Sequence, residues 1–292
     1  MAFQLIGVPF NSSGHPDGVA RAPDALRAAG VAQRAGAADT GDVAFAPLSP
    51  VRSPRSGLLA EEALVSMVAA TRGAVAAVHA ADDLPIVLGG DCPVLLGGLG
   101  ATRDRHGGVG LLLVDGHQDG YPPHASLSGE AADCEVYLAL GLPSAALPES
   151  LRAALVEPRQ VTMLGPRDRA TIARDGVASL GDRVALHSDV ELIVRGPGAV
   201  AESAARDLRA EAPVWWLHTD LDVLSTEALA AVDYPQPGGL SWDQLTEVTI
   251  AALRVGGCVG WTVTVCNPDL DPDGRAARRI ADFVAEGAAA WT

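Results

Sequence analysis

Short apolar runs alternate along the chain with longer, alanine-rich stretches of mixed polarity. The runs predict strands at Phe3–Pro9, Pro85–Gly89, Gly110–Asp115, Val161–Gly165, Arg183–His187, Val214–Val223 and Val259–Val265. Several are apolar at almost every position, the pattern of strands covered on both faces of a parallel sheet. The longer stretches predict helices at Pro23–Gln33, Gly57–Ala81, Ala199–Ala210, Trp242–Arg254 and Arg275–Glu286. Strands alternating with helices argue for one α/β sheet covered by helices. Ala46–Gly57 is rich in proline and serine and reads as a surface loop. With no repeat and no convincing linker, residues 1–292 read as a single domain.

Composition narrows the chemistry. The chain contains no lysine; its 21 basic residues are all arginine. This excludes a Schiff-base lysine, the usual PLP enzymes and a P-loop lysine. Against 36 acidic residues the formal charge is −15. A chain this acidic is repelled by phosphate backbones and anionic membranes, so neither nucleic acid nor a membrane is an expected partner. Met1–Gly14 lacks the features of a signal peptide, and Arg72 and His79 interrupt the longest apolar stretch, Leu64–Ala81. Four cysteines in 292 residues do not form a disulfide framework. The expectation is a cytoplasmic, reduced enzyme.

The strongest local feature is where the apolar strands stop. Leu111–Val114 runs into Asp115-Gly116-His117-Gln118-Asp119. In an extended chain Asp115, His117 and Asp119 point to the same side. They would project together from the carboxyl end of a buried strand, where open α/β sheets place their ligands. Trp215–Thr219 runs likewise into Asp220-Leu221-Asp222, and Ile86–Gly89 into Gly90-Asp91-Cys92. Four carboxylates gathered at strand ends are costly unless divalent cations neutralise them. An isolated D-x-H-x-D is more often a solvated turn than a metal site. Two such runs, each ending a buried strand, shift the balance to metal.

In chain order these blocks resemble those of the arginase–agmatinase (ureohydrolase) family. Gly89-Gly90-Asp91-Cys92 is similar to its G-G-D-H block, and Asp115–Asp119 to its D-A-H-x-D block. Asp220-Leu221-Asp222 with Pro235–Ser241 is similar to its D-x-D…P-x-x-G-G-L-[TS] block. Gly7–Phe10, Gly18…Arg27 and Gly260–Pro268 resemble its terminal elements, so the likeness spans the chain. It implies a three-layer α/β/α sandwich with a mainly parallel central sheet. It implies two divalent metal ions, usually Mn²⁺, and a homo-oligomer, commonly a trimer or hexamer. By position, Cys92, Asp115, Asp119 and Asp220 would hold one ion, and Asp115, His117, Asp220 and Asp222 the other. The resemblance further implies a metal-bridging hydroxide as nucleophile, with Asp119 moving its proton.

Several positions depart from that pattern. Cys92 replaces a histidine; a thiolate is softer and suits Zn²⁺ or Fe²⁺ better than Mn²⁺, although a small buried cysteine can also be mere packing. Val265 stands where the family places a glutamate that pairs with the guanidinium, and a valine cannot form that bidentate pair. Ala132 takes the place of a histidine after Ser128-Gly129, and Tyr121 and Glu130 replace asparagines. Ala170 aligns with the aspartate that arginases use for the substrate α-amino group. Glu130 reads either as a substrate-facing acid or as a helix-start carboxylate behind an N-capping Ser128. His124 reads as a surface-loop histidine before a candidate acid, His218 as a core group or a support behind the ligands before a ligand, and Asn267–Gly274 as a solvated turn.

The leading expectation is therefore a binuclear metallohydrolase. It would cleave a C–N bond of a small guanidino or amidino compound other than L-arginine, with Tyr121, Ser128, Glu130 and Val265 facing the substrate. The alternatives are an amidohydrolase acting on a non-guanidine amide and a catalytically silent homologue with a binding role.

Overall fold

The computed structural model describes residues 1–291. Its strands are β1 (Phe3–Val8), β2 (Ala37–Asp42), β3 (Leu84–Gly89), β4 (Gly110–Val114), β5 (Val161–Gly165), β6 (Ala185–Ser188), β7 (Trp215–Asp220) and β8 (Cys258–Thr264). They form one eight-stranded sheet in the order β2-β1-β3-β8-β7-β4-β5-β6, with every pairing parallel. The helices are α1 (Ala22–Ala28), α2 (Val31–Ala35), α3 (Glu61–Ala80), α4 (Leu95–His106), α5 (Glu135–Ala139), α6 (Arg169–Arg174), α7 (Asp189–Arg195), α8 (Pro197–Glu211), α9 (Trp242–Leu253) and α10 (Arg275–Ala290).

The two faces of the sheet carry separate apolar cores. Leu112, Val114, Trp215, Leu217, Trp261 and Val263 pack against α8, α9 and α10. Leu111, Leu113, Val87 and Trp216 pack against α3, α4 and α5 on the other face. The expected α/β/α sandwich follows, and each buried leucine or valine contributes roughly 1.5–3 kcal/mol. Among the described residues α3 alone is long and apolar enough to span a membrane. Leu64, Met67, Thr71, Val75 and Val78 nevertheless form one stripe buried in this core.

Some expected boundaries shift. The predicted helix Pro23–Gln33 is two helices, because Gly30 turns the chain with φ +82°. Gly57–Ala81 becomes helical only at Glu61, and Val214–Val223 stops as a strand at Asp220, where Leu221–Val223 forms a 3-10 turn. Strand β2 and helices α4 to α7 have no counterpart among the expected elements. In α4 the helix-weakening Gly97 and Gly98 are contact points: a Cβ on Gly97 would lie 2.6 Å from Thr71, and one on Gly98 2.5 Å from Trp216. They let α4 slide between α3 and the sheet.

Strand order is what builds the site. The chain lays down β1 and β3, crosses to β4, β5 and β6, and returns through β7 and β8 to fill the gap. Because every strand is parallel, the segments after β3, β8, β7 and β4 leave the same edge side by side. That edge, at the point where strand order reverses, is the expected ligand position of an open α/β sheet.

Candidate metal centre

A cleft of about 770 Å³ opens over these four strand ends. Cys92, His117, Asp119, Asp220 and Asp222 line its floor; Tyr121, Ser128, Glu130, Tyr234 and Val265 stand around it. Asp115 is fully buried beneath the floor.

The local backbone explains how the ligand candidates converge, and it differs from simple strand alternation. Strand β4 ends at Val114, and Asp119 takes a left-handed φ of +44°. Asp115, His117 and Asp119 are thus gathered by a turn. The Gly116 N–H donates to Asp222 Oδ1 (3.1 Å), and a Cβ on Gly116 would lie 2.4 Å from Arg167. Asp222 reaches the floor from the 3-10 turn, its N–H donating to Asp220 Oδ1 (2.7 Å). Arg167 donates to the Asp222 carbonyl (2.6 Å) and holds this turn in place. The tight turn after β3 needs Gly90, whose Cβ would collide with the Phe10 carbonyl at 1.9 Å.

Two groups of donor atoms result. His117 Nδ1 lies 2.8 Å from Asp222 Oδ2 and 3.8 Å from Asp115 Oδ1. Donor atoms of Asp115, His117 and Asp222 all lie within 4.8 Å of one another. At the other end Cys92 Sγ donates to Asp220 Oδ2 (2.7 Å) and is 3.2 Å from Thr264 Oγ1. Cys92 and Asp115 there share a second group with Glu135 and His218, again within 4.8 Å. Glu135 went unnoticed in the sequence, and His218 was read as a core group or a support behind the ligands, not as a ligand. The signals were a carboxylate opening an otherwise apolar helix and a histidine two residues before Asp220.

Charge is badly unbalanced in this cluster. Burial, then the Asp222 charge, push Asp115 up to about 7. Burial and neighbouring carboxylates push Asp119, Asp220 and Glu135 well above the usual range. Burial, Asp220 and Glu135 likewise hold the Cys92 thiol protonated. Burial acts against charge on His117, but Asp222 and Asp115 outweigh it and raise its pKa to about 9. On Asp222 the same partnership with His117 overcomes burial and lowers the pKa. Asp115 Oδ2, both carboxylate oxygens of Glu135 and Nδ1 of His218 are buried without hydrogen-bond partners. Such orphaned donors of mixed type are what divalent cations satisfy, so the residues present fit a metal centre.

The cleft walls hold the remaining positions. Glu130 does not lie in a first helical turn behind Ser128; it precedes the 3-10 turn Ala131–Asp133 and makes no capping bond. Tyr234 Oη donates to its Oε1 (3.0 Å). Burial and the Asp91 charge raise Glu130 to about 7, against the lowering effect of Tyr234. Ser128 Oγ donates to Asp133 and accepts from the Glu130 N–H (3.0 Å). Tyr121 Oη donates to Asp175 Oδ2 (2.9 Å). Val265, at the end of β8, has φ +63°, rare for a β-branched residue, and donates its N–H to the Gly90 carbonyl (2.9 Å). Ala132 lines the cleft, whereas Ala170 is exposed on α6 and His124 is exposed on its loop.

The Arginase family profile matches residues 1–289. The chain belongs to the Arginase family. It is 28% identical to an arginase of Agrobacterium fabrum over 96% of this chain and 88% of that one. Its structure superposes on an arginase from Bacillus caldovelox with a TM-score of 0.86 at 22% identity, covering 98% of this chain and 97% of the other. A formimidoylglutamase from Bacillus subtilis superposes with a TM-score of 0.78 at 18% identity, over 99% and 87% of the two chains. The fold is thus shared by relatives whose names carry different substrates, and the cleft walls become the place to read specificity.

Proposed function

We propose that this Arginase-family protein is a metal-dependent hydrolase of a C–N bond in a small guanidino or amidino compound other than L-arginine. Val265 carries the reading. It lies in the cleft at the end of β8, where the family resemblance places a glutamate for the guanidinium, and it offers no acceptor to a cation. Ala132, which lines the cleft, likewise lacks the polar group expected there for arginine, and Ala170 on α6 lacks the carboxylate that the resemblance puts at its position.

Cys92, Asp115, Asp119 and Asp220 would hold one divalent ion, and Asp115, His117, Asp220 and Asp222 the other. When bound, the ions would supply Lewis-acid polarisation and a water acidified to near neutrality. Asp119, whose carboxyl lines the cleft floor, would hold and move the proton of the reaction. The walls favour a cationic substrate: Glu130, Asp168, Asp175 and Asp233 all line the cleft, and Arg167 is its only arginine. Glu130, paired with Tyr234, takes the role of reading that cation. Tyr121 and Ser128, tied to Asp175 and Asp133, also line the cleft.

Assaying the Mn²⁺- and Zn²⁺-loaded protein against guanidines, amidines and amides for urea or ammonia release tests this. Turnover of a guanidine or amidine with weak activity on L-arginine is expected. Urea release from L-arginine at ordinary arginase rates overturns the substrate assignment. Activity confined to neutral amides shifts the function to an amidohydrolase. Little tightly bound metal, with no turnover after reconstitution, supports a binding role, and a full binuclear complement counts against it.

A further inference from the structure

Beneath the cleft floor lie two buried side chains that the family-implied ligand set does not use. Glu135 opens α5 and is fully buried, with neither carboxylate oxygen hydrogen-bonded. Its position is enforced: the Asp119 carbonyl accepts from the N–H groups of Val136 (3.1 Å) and Tyr137 (3.4 Å), pinning the start of α5 to the metal loop. His218 is fully buried in β7, with Nδ1 unpartnered and Nε2 3.5 Å from Thr264 Oγ1. Donor atoms from Cys92, Asp115, Glu135 and His218 lie within 4.8 Å of one another.

A buried carboxylate with two unmatched oxygens costs several kcal/mol. Here it lies among other carboxylates, and the chain has no lysine whose ammonium could enter. The His218 ring adds a nitrogen to the same group, and its Nε2 has only the long 3.5 Å contact to Thr264 Oγ1. A cation satisfies all of these at once. A thiolate, an imidazole and carboxylate oxygens are also the donor types that Zn²⁺ takes in four-coordinate sites. Mn²⁺ favours oxygen.

We propose that Glu135 and His218, with Cys92 and Asp115, hold the ion at Cys92 in place of the Asp119 and Asp220 that the family resemblance puts there, and that this donor set selects a thiophilic ion of the Zn²⁺ class. The Asp115–His117–Asp222 group, which lacks sulfur, takes the harder ion, so the centre is mixed. Asp115 contributes to both groups and links them. This inference rests on the metal-dependent reading above.

The test is reconstitution of the metal-free protein with equal Zn²⁺ and Mn²⁺, followed by elemental analysis, and in parallel with Co²⁺ for its optical spectrum. Wild type is expected to retain one zinc per chain against excess Mn²⁺ and to show a thiolate-to-cobalt charge-transfer band. Glu135→Gln and His218→Gln are expected to weaken Zn²⁺ binding by more than the roughly 10- to 100-fold lost when a residue that only orients a ligand is removed. Their cobalt spectra should change, while Mn²⁺ content stays. Asp222→Asn should show the reverse pattern, losing Mn²⁺ and keeping zinc.

Wild-type zinc affinity and an unchanged cobalt spectrum in both variants overturn the inference and leave the metal-dependent reading intact. Uptake of no metal at either position by wild type overturns both. Because substitution at buried positions can impair folding, zinc-edge X-ray absorption of the wild type gives an independent answer. One sulfur and one imidazole at zinc support the assignment; sulfur with no imidazole overturns it.

Discussion

Asp168 grips Gln118 twice: one carboxylate oxygen accepts from the Gln118 backbone N–H (3.0 Å) and the other from its side-chain Nε2 (3.1 Å). Gln118 sits between His117 and Asp119, and its Oε1 accepts in turn from Ser179 Oγ (2.9 Å) and the Leu180 N–H (2.8 Å). The metal loop is thereby fastened to the segments after β5 and α6, and neither residue needs to touch an ion to matter. Asp168→Ala is expected to lower metal affinity about 10- to 100-fold, the usual effect of freeing a ligand-bearing segment. Titration of Mn²⁺ into the metal-free variant, followed calorimetrically, checks this. Unchanged affinity would mean that the loop holds its shape without the brace.

Glu130 gives a pH signature. Its carboxyl is held near 7 by burial and by Asp91. A carboxylate reads a cationic substrate only when ionised. KM for the true substrate is therefore expected to rise as pH falls below about 7, with kcat less affected. Glu130→Gln should raise KM at neutral pH and flatten this limb of the profile. A pH dependence identical in the variant and the wild type would remove Glu130 from substrate recognition.

The candidate ligands were legible where they interrupt an apolar run. Asp115, His117, Asp220 and Asp222 each stand at or just beyond the end of a buried strand, and charge there has few structural uses. The parallel sheet was legible for the same reason, because Leu111–Val114 and Trp215–Leu217 are apolar on both faces. Glu135 was hidden: its partners are Cys92, Asp115 and His218, and no spacing within the sequence brings them together. Helix α4 was hidden by Gly97 and Gly98, which weaken local helix propensity while serving tight packing against Thr71 and Trp216. Strand β2 was hidden by its polarity, since Ala37–Asp42 is an edge strand that is largely exposed.

Val265 predicts a switch in preference. A charged hydrogen-bonded pair contributes about 1.5–3 kcal/mol, which corresponds to tenfold or more in affinity. Val265→Glu places a carboxylate in the cleft where a guanidinium can meet it. KM for guanidinium compounds is expected to fall about tenfold or more, and neutral amides should gain nothing. Steady-state kinetics on matched guanidine and amide pairs checks the result. An equal change for both would show that Val265 acts on cleft shape, not on charge.

The metal-free protein should weaken as pH rises above neutrality. His117 titrates at 6.5 in an ordinary environment and at about 9 beside Asp222 in the folded chain. Between these values the folded state binds the extra proton, so stability falls with rising pH. The stabilisation is fully present below 6.5 and is lost as pH passes through about 9. Asp119, Asp220 and Glu135, raised by burial, act with the same sign, because ionising them in the folded chain is costly. His79 and His218, lowered by burial to about 4 and about 3, act with the opposite sign, but above 6.5 only the remaining charge on their unfolded imidazoles is left to lose, so they oppose the trend weakly. Melting temperatures of chelator-treated protein should therefore drop from pH 6.5 to 9. Bound cations take the place of the proton on His117 and offset the carboxylates, so the loaded protein should melt higher and lose this slope. His117→Asn should remove part of the slope in the metal-free protein and leave the loaded protein short of one ion. Parallel, pH-independent melting curves for the loaded and metal-free forms would show that the cluster is neutralised by something other than a metal.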